Sequence, residues 1–144
     1  MKVSIYSKPE LFKIIKDKGL PPNTAIVAFT DEGCGEFLDF PITADVLKIE
    51  FDDIRARDIP KERIVELLPE AHAIAVFVDQ KIKEHKDIIC QCDYGISRSA
   101  GLAAAILERY AHKGIEVFSN YRYNPNQIVF NKVYKELMKL WTTK

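Results

Sequence analysis

The residues in this chain that are best suited to do chemistry are Cys92 and Arg98, which are separated by five residues, and Ser99, which follows at once. A cysteine thiolate is a strong nucleophile. The planar guanidinium of an arginine can bind two phosphate oxygens at once, which a lysine cannot do. A serine hydroxyl can donate a hydrogen bond to the sulfur and help it leave in a second step. Together these residue types predict a site where sulfur attacks a bound phosphate group.

The segments on either side of these residues predict how they are positioned. Residues 87–91 are short, apolar and partly β-branched, which is typical of a buried parallel strand. Residues 100–110 are rich in helix formers. The residues between them therefore form a loop that enters a helix, where unpaired backbone N–H groups favour an anion and Gly95 permits a turn. We expect the loop to curl around a phosphate group and bind it through backbone donors of Asp93, Tyr94, Gly95, Ile96 and Ser97.

The pattern Cys-x5-Arg-Ser between a strand and a helix resembles the cysteine-dependent protein tyrosine phosphatases. The stretch Gly-Ile-Ser-Arg-Ser-Ala at residues 95–100 is most similar to the small dual-specificity branch. The resemblance implies that Cys92 attacks phosphorus, that Arg98 and the loop amides bind the phosphoryl oxygens, and that an aspartic acid protonates the leaving oxygen. It also implies that neither a metal nor another cofactor is needed.

Three aspartates compete for the role of the proton donor. The resemblance places this acid in a loop that follows a strand upstream of the cysteine. Residues 49–53 match that strand-then-aspartate pattern and favour Asp53. Asp58 is closer to the expected spacing but lies further from the strand end, and Asp52 precedes Asp53 directly. All three stay open, and the two that are not the acid are turn or capping residues.

The residue before the nucleophile departs from the pattern, because Gln91 stands where the resembled family usually has a histidine. Glutamine donates hydrogen bonds but carries no charge. We expect activity to persist, with an altered pH profile. The alternative is a phosphate-binding pseudophosphatase module with little or no catalysis.

A third hypothesis is another cysteine chemistry, such as sulfur transfer or arsenate reduction. Arsenate reduction needs a resolving thiol. We expect Cys90 to face the opposite side of its strand from Cys92, and the position of Cys34 is open.

The composition predicts one soluble domain over residues 1–144. The 21 basic and 21 acidic residues cancel, which does not favour nucleic acid or an anionic membrane as a partner. The three cysteines and the absence of an export signal favour reduced thiols in the cytoplasm. The expected substrate is a phosphorylated protein or a small phosphomonoester, and the oligomeric state stays open.

Strand and helix patterns alternate along the chain. Strands are predicted at residues 2–6, 24–29, 46–51 and 87–91, and helices at 9–18, 61–68 and 70–86. The helix after the loop is predicted to end near Gly114 as its cap, and the last helix to be capped by Asn124 or Asn126 with Pro125 in its first turn. This order predicts an α/β fold with a mostly parallel central sheet and helices on both faces.

The predicted topology places two candidate residues at one edge of the sheet. Ligands of such folds bind at the carboxyl ends of the strands. Cys92 and Asp53 both follow strands, so we expect them to share a cleft. Arg55 and Arg57 either contact the substrate beside the phosphate or pair with Asp52 and Asp58 on the surface.

Overall fold

The two most apolar strands of the chain lie at the centre of a four-stranded parallel sheet. The computed structural model describes residues 1–142. Its strands are β1 (Val3–Ser7), β2 (Thr24–Thr30), β3 (Asp45–Glu50) and β4 (Asp87–Cys92), in the order β1-β4-β2-β3 with every pair parallel. Strands β2 and β4 are buried along nearly their whole length, whereas β1 and β3 at the edges are partly exposed. Apolar runs that can be covered on both faces take the central positions.

Helices cover both faces of the sheet, as the sequence predicted. They are α1 (Lys8–Lys18), α2 (Lys61–Ile64), α3 (Ala71–Lys83), α4 (Arg98–Ala111), α5 (Ile115–Phe118) and α6 (Gln127–Thr142), with a short 3-10 helix at Ala56–Asp58. Leu11 of α1 packs on one face against Ile26, Ala28 and Ile89. Helices α3, α4 and α6 build the larger core on the other face. The α/β prediction is confirmed. Among residues 1–142, no helix is long and apolar enough to cross a membrane.

Several predicted helix ends differ from the structure. Helix α2 ends at Ile64 rather than at residue 68, and α3 ends at Lys83 rather than at residue 86. Helix α4 ends at Ala111, and His112 rather than Gly114 takes the left-handed conformation, with a φ of 56°. Gly114 is instead required for close packing, because a Cβ there would lie 2.8 Å from the Ala104 carbonyl oxygen. Helix α6 is capped by Asn126, whose Oδ1 accepts a hydrogen bond from the Val129 N–H at 3.0 Å. Pro125 therefore precedes the cap and is not in the first turn.

The expectation that Cys90 and Cys92 face opposite sides of their strand is wrong. Residues two apart in a strand share a face. Both cysteines belong to the core that α3, α4 and α6 cover. Burial raises the pKa of the Cys90 thiol, so this residue stays protonated and is poorly suited to act as a resolving thiol.

Candidate active site

Cys92 is the last residue of β4, and its sulfur lies at the base of the loop that follows. The side chain is only 2% exposed. The backbone N–H of Gly95 donates a hydrogen bond to Sγ at 3.3 Å, and the Ser99 hydroxyl lies 3.0 Å from Sγ. Donors directed at sulfur stabilise a thiolate. The structure therefore brings Ser99 to the sulfur, where the sequence placed it.

The backbone of the loop is held with several of its carbonyls turned outward. Three of these carbonyls accept hydrogen bonds from backbone N–H groups outside the loop: Asp93 from Lys8 at 3.2 Å, Ile96 from Asn124 at 2.9 Å, and Ser97 from Asn126 at 2.9 Å. Because a peptide group is planar and trans, each outward carbonyl directs the next N–H the other way. The N–H groups of Tyr94, Ser97 and Arg98 accordingly point away from these partners, as an anion cradle requires.

Gly95 makes this curvature possible. Its φ is 67°, which side-chain-bearing residues rarely adopt. A Cβ at this position would also lie 2.5 Å from the backbone nitrogen of Ser7, where β1 meets α1. The loop is thus packed directly against the start of α1, while Tyr94 and Ile96 expose their side chains at its rim.

Arg98, the first residue of α4, is buried and anchored on one side of its guanidinium. Nη1 donates to Asp31 Oδ1 at 3.0 Å and to the Phe51 carbonyl at 2.7 Å. Nη2 is 3.4 Å from Asp93 Oδ2. The Nε atom is buried and has no hydrogen-bond partner among the described residues. A buried donor without a partner carries a free-energy penalty that a bound oxyanion would remove.

Asp53 is the predicted acid that the structure connects to the loop. Its Oδ1 accepts hydrogen bonds from Ser97 Oγ at 2.6 Å and from Asn126 Nδ2 at 3.0 Å. Asp52 instead accepts from the Glu32 N–H at 2.9 Å and stabilises a neighbouring turn. Asp58 ends the short 3-10 helix. The contacts thus favour Asp53 among the three candidates.

Sequence reasoning missed two residues of the site. Asp31, which anchors Arg98, directly follows β2, so its position at the carboxyl end of a strand was the available signal. The sequence indicates Asn126 only as a candidate helix cap, yet its Nδ2 also donates hydrogen bonds to Asp53 Oδ1 and to the Ile54 carbonyl. Both residues contact the predicted site from distant parts of the chain.

Cys34 lies in the loop after β2 and lines a cavity with Asp31, Asp93 and Tyr94, next to the predicted phosphate loop. Partial desolvation and the nearby carboxylates, first Asp31, raise the pKa of this exposed thiol. It is therefore mostly protonated near neutral pH, which does not favour a second reactive thiol.

Several solved structures share this fold. Human DUSP28 has a TM-score of 0.59 at 15% identity, with 99% of this chain and 95% of that chain covered. The human tyrosine phosphatase-like serine/threonine/tyrosine-interacting protein has a TM-score of 0.56 at 17% identity, with 94% and 87% covered. PTPMT1 in complex with PI(5)P has a TM-score of 0.56 at 13% identity, with 99% and 94% covered. No protein-family model and no curated protein matches the sequence.

Over nearly its whole length, the chain has the fold of the dual-specificity and tyrosine phosphatase-like proteins. This likeness concerns the fold.

Proposed function

We propose that this protein hydrolyses phosphomonoesters through a phosphocysteine intermediate on Cys92. The observation that carries the proposal is the buried Arg98, whose Nε has no partner among the described residues, at the end of a loop whose carbonyls at Asp93, Ile96 and Ser97 are bound from outside the loop. A guanidinium edge and backbone donors suit the equatorial oxygens of a phosphoryl group. The sulfur of Cys92 lies at the base of the same loop and accepts the Gly95 N–H.

In the first step, the Cys92 thiolate attacks phosphorus and an S–P bond forms as the ester P–O bond breaks. Arg98 and the loop amides bind the phosphoryl oxygens. Asp53 donates its proton to the leaving oxygen, so the alcohol or phenol departs neutral. Its Oδ1 is bound by Ser97 and Asn126, and Oδ2 has no hydrogen bond from the described residues.

In the second step, the Asp53 carboxylate removes a proton from water, and the resulting oxygen nucleophile attacks phosphocysteine. The S–P bond breaks, inorganic phosphate is released and the thiolate of Cys92 returns. The Ser99 hydroxyl, 3.0 Å from the sulfur, donates a hydrogen bond to the departing thiolate.

A phosphate-binding module with little catalysis is the second candidate, and Gln91 is the observation that favours it. The side chain is buried and its Oε1 has no hydrogen-bond partner among the described residues. Unlike an imidazole, this neutral amide cannot supply charge next to the nucleophile. This candidate retains the anion cradle and predicts binding without turnover.

We further propose that the substrate is a phosphorylated protein or a small phosphomonoester in the cytoplasm, and that neither a metal nor nucleic acid takes part. The loop side chains of Tyr94 and Ile96 add no basic group for a polyanion.

Hydrolysis of 4-nitrophenyl phosphate in EDTA tests the mechanism. We expect metal-independent turnover that Cys92→Ser abolishes, whereas Cys90→Ala, a change in the same strand and core, retains it. Asp53→Ala should reduce activity on phenyl phosphate by about 10²–10⁴-fold, because phenol needs protonation, and affect 4-nitrophenyl phosphate less. Asp58→Ala serves as the matched control.

Two results would contradict the proposal. One is turnover that survives in Cys92→Ser. The other is no turnover by the native protein between mildly acidic and neutral pH, with vanadate still bound, which would support the binding module.

A further inference from the structure

A second polar cavity lies beside the phosphate loop, on the side of the proposed acid. It has a volume of about 170 Å³ and is lined mainly by two arginines and three amides: Arg55, Arg57, Asn124, Asn126 and Gln127. Ser97 belongs both to this cavity and to the loop. None of the lining residues is acidic. The cavity therefore offers hydrogen-bond donors and positive charge next to the site of chemistry.

The positive charge of the two arginines is not neutralised by ion pairs. Among residues 1–142, no carboxylate lies within ion-pair distance of Arg55 or Arg57. The prediction that these arginines pair with Asp52 or Asp58 is therefore wrong. With the Asn124 amide turned so that its oxygen faces the guanidinium, Arg55 instead donates to this neutral oxygen, at 2.6 Å from Nη1 and 3.3 Å from Nη2. This contact holds the Arg55 side chain at the cavity wall while its charge stays available.

The cavity lies on the side of the phosphate loop where the leaving group of the substrate would be. Ser97 Oγ donates to Asp53 Oδ1 at 2.6 Å, and Asn126, which also lines the cavity, donates to the same oxygen. The proton donor faces the ester oxygen, so the organic part of the substrate leaves the loop past Asp53.

We infer that this cavity binds a second anionic group, a carboxylate or a phosphate, carried by the same substrate near its scissile phosphate. The inference rests on the proposed function for the orientation of the substrate. Arginine forks bind either group through paired charge-assisted hydrogen bonds. A glutamate or aspartate next to a phosphorylated side chain and a second phosphate on a small molecule have this shared chemistry.

Matched substrates test the inference. Two phosphotyrosine peptides that differ only in having glutamate or glutamine on both sides of the phosphotyrosine are compared by kcat/KM. We expect the glutamate peptide to be preferred by about tenfold, the effect of one partly exposed charge-assisted hydrogen bond. The preference should fall to about twofold or less in the double variant Arg55→Gln/Arg57→Gln. It should persist in Arg63→Gln, an exposed arginine outside the cavity. Thermal unfolding checks that the variants are folded.

The same peptides are also titrated against the Cys92→Ser protein by calorimetry, because binding does not require turnover. If the glutamate peptide binds more tightly but the native protein hydrolyses neither peptide, the proposed function is refuted and the anion-binding role of the cavity is supported. Competition by fructose 1,6-bisphosphate and fructose 6-phosphate distinguishes the sources, since only a cavity suited to a second phosphate favours the bisphosphate. The inference would be overturned if the two peptides bound with equal affinity and the two fructose phosphates did so as well. It would also be overturned if the double variant retained the preference.

Discussion

Arg98 Nη1 donates a hydrogen bond to Asp31 Oδ1 at 3.0 Å, which joins the loop after β4 to the loop after β2. The same nitrogen donates to the Phe51 carbonyl at 2.7 Å. One side of the guanidinium is anchored in this way, while the buried Nε has no partner among the described residues and is available to a bound oxyanion. Asp31 is thus a positioning residue for Arg98.

Asp31→Ala should lower kcat/KM for 4-nitrophenyl phosphate by about tenfold or more, because a small misorientation of Arg98 weakens transition-state binding. Asp31→Asn should recover most of this loss, since the amide oxygen can still accept from Nη1. Asp39→Ala, an exposed aspartate of the same connecting segment, is the control. Activity of Asp31→Ala within twofold of the native protein would refute the positioning role.

Ser99→Ala should slow the second chemical step more than the first. The variant loses the hydroxyl that lies 3.0 Å from Cys92 Sγ, and hydrogen bonds to charged groups contribute about 1.5–3 kcal/mol. Rapid mixing should reveal a burst of 4-nitrophenol close to one equivalent per enzyme, followed by a steady rate reduced by about tenfold or more. Ser119→Ala, an exposed serine after α5, should show neither effect. A reduced rate without a burst would place Ser99 outside the second step.

Gly95→Ala should disable the loop. A Cβ there would meet the Ser7 nitrogen at 2.5 Å, and the residue has a positive φ, so both strain and a backbone clash oppose the substitution. We expect a loss of about 10²-fold in kcat/KM and a lower melting temperature. Gly33→Ala is a sharp control, since Gly33 has a φ of 79° but nothing within 4 Å of the added Cβ. Similar activity in the two variants would mean that the contact with Ser7 is unimportant.

Asn126→Ala should weaken both the fold and the site. It removes the cap of α6 and the hydrogen bonds to Asp53 and Ile54 from a side chain that is 5% exposed. We expect the free energy of unfolding to fall by about 2–3 kcal/mol, measured by urea denaturation. Asn131→Ala, exposed on the same helix, should change it by about 0.5 kcal/mol or less. Equal losses in the two variants would contradict this account.

The start of α1 should show a pH-dependent contribution to stability. The Ser7 backbone N–H donates to Glu10 Oε1 at 2.9 Å and is the main cause that holds the pKa of this carboxyl below 4.5. Because the folded-state pKa is the lower one, the stabilisation is complete above the unfolded pKa and is lost as pH falls through the folded pKa. Glu10→Gln should reduce the free energy of unfolding at pH 7 by about 0.5–1 kcal/mol, a cap value reduced for solvent exposure.

Urea denaturation from pH 7 to pH 3 checks this prediction. The difference between Glu10→Gln and the native protein should shrink below pH 4.5. Glu66→Gln, an exposed glutamate, should give no such pH-dependent difference. A difference that grows as the pH falls would show that the sign is wrong.

The sequence by itself predicted the parts of the site that are local. Residues 87–91 and 100–110 have strong strand and helix patterns, so the loop from Cys92 to Ser99 could be placed between them from its neighbours alone. The alternation of strands and helices likewise predicted a parallel sheet, which the structure confirms. These features depend on propensities and spacings within a few residues, which a single sequence displays directly.

Only the tertiary structure decided which distant residues meet the loop. Asp31 is 67 residues from Arg98, and Asp53 is 44 residues from Ser97 and 73 from Asn126. The strand-then-aspartate pattern favoured Asp53 but left Asp52 and Asp58 open, and nothing in the local pattern marks Asp31 as a partner of arginine. The strand order β1-β4-β2-β3 places the ends of β2 and β3 on the same side of β4. That order results from burying the most apolar strands at the centre, a property of the whole packed chain.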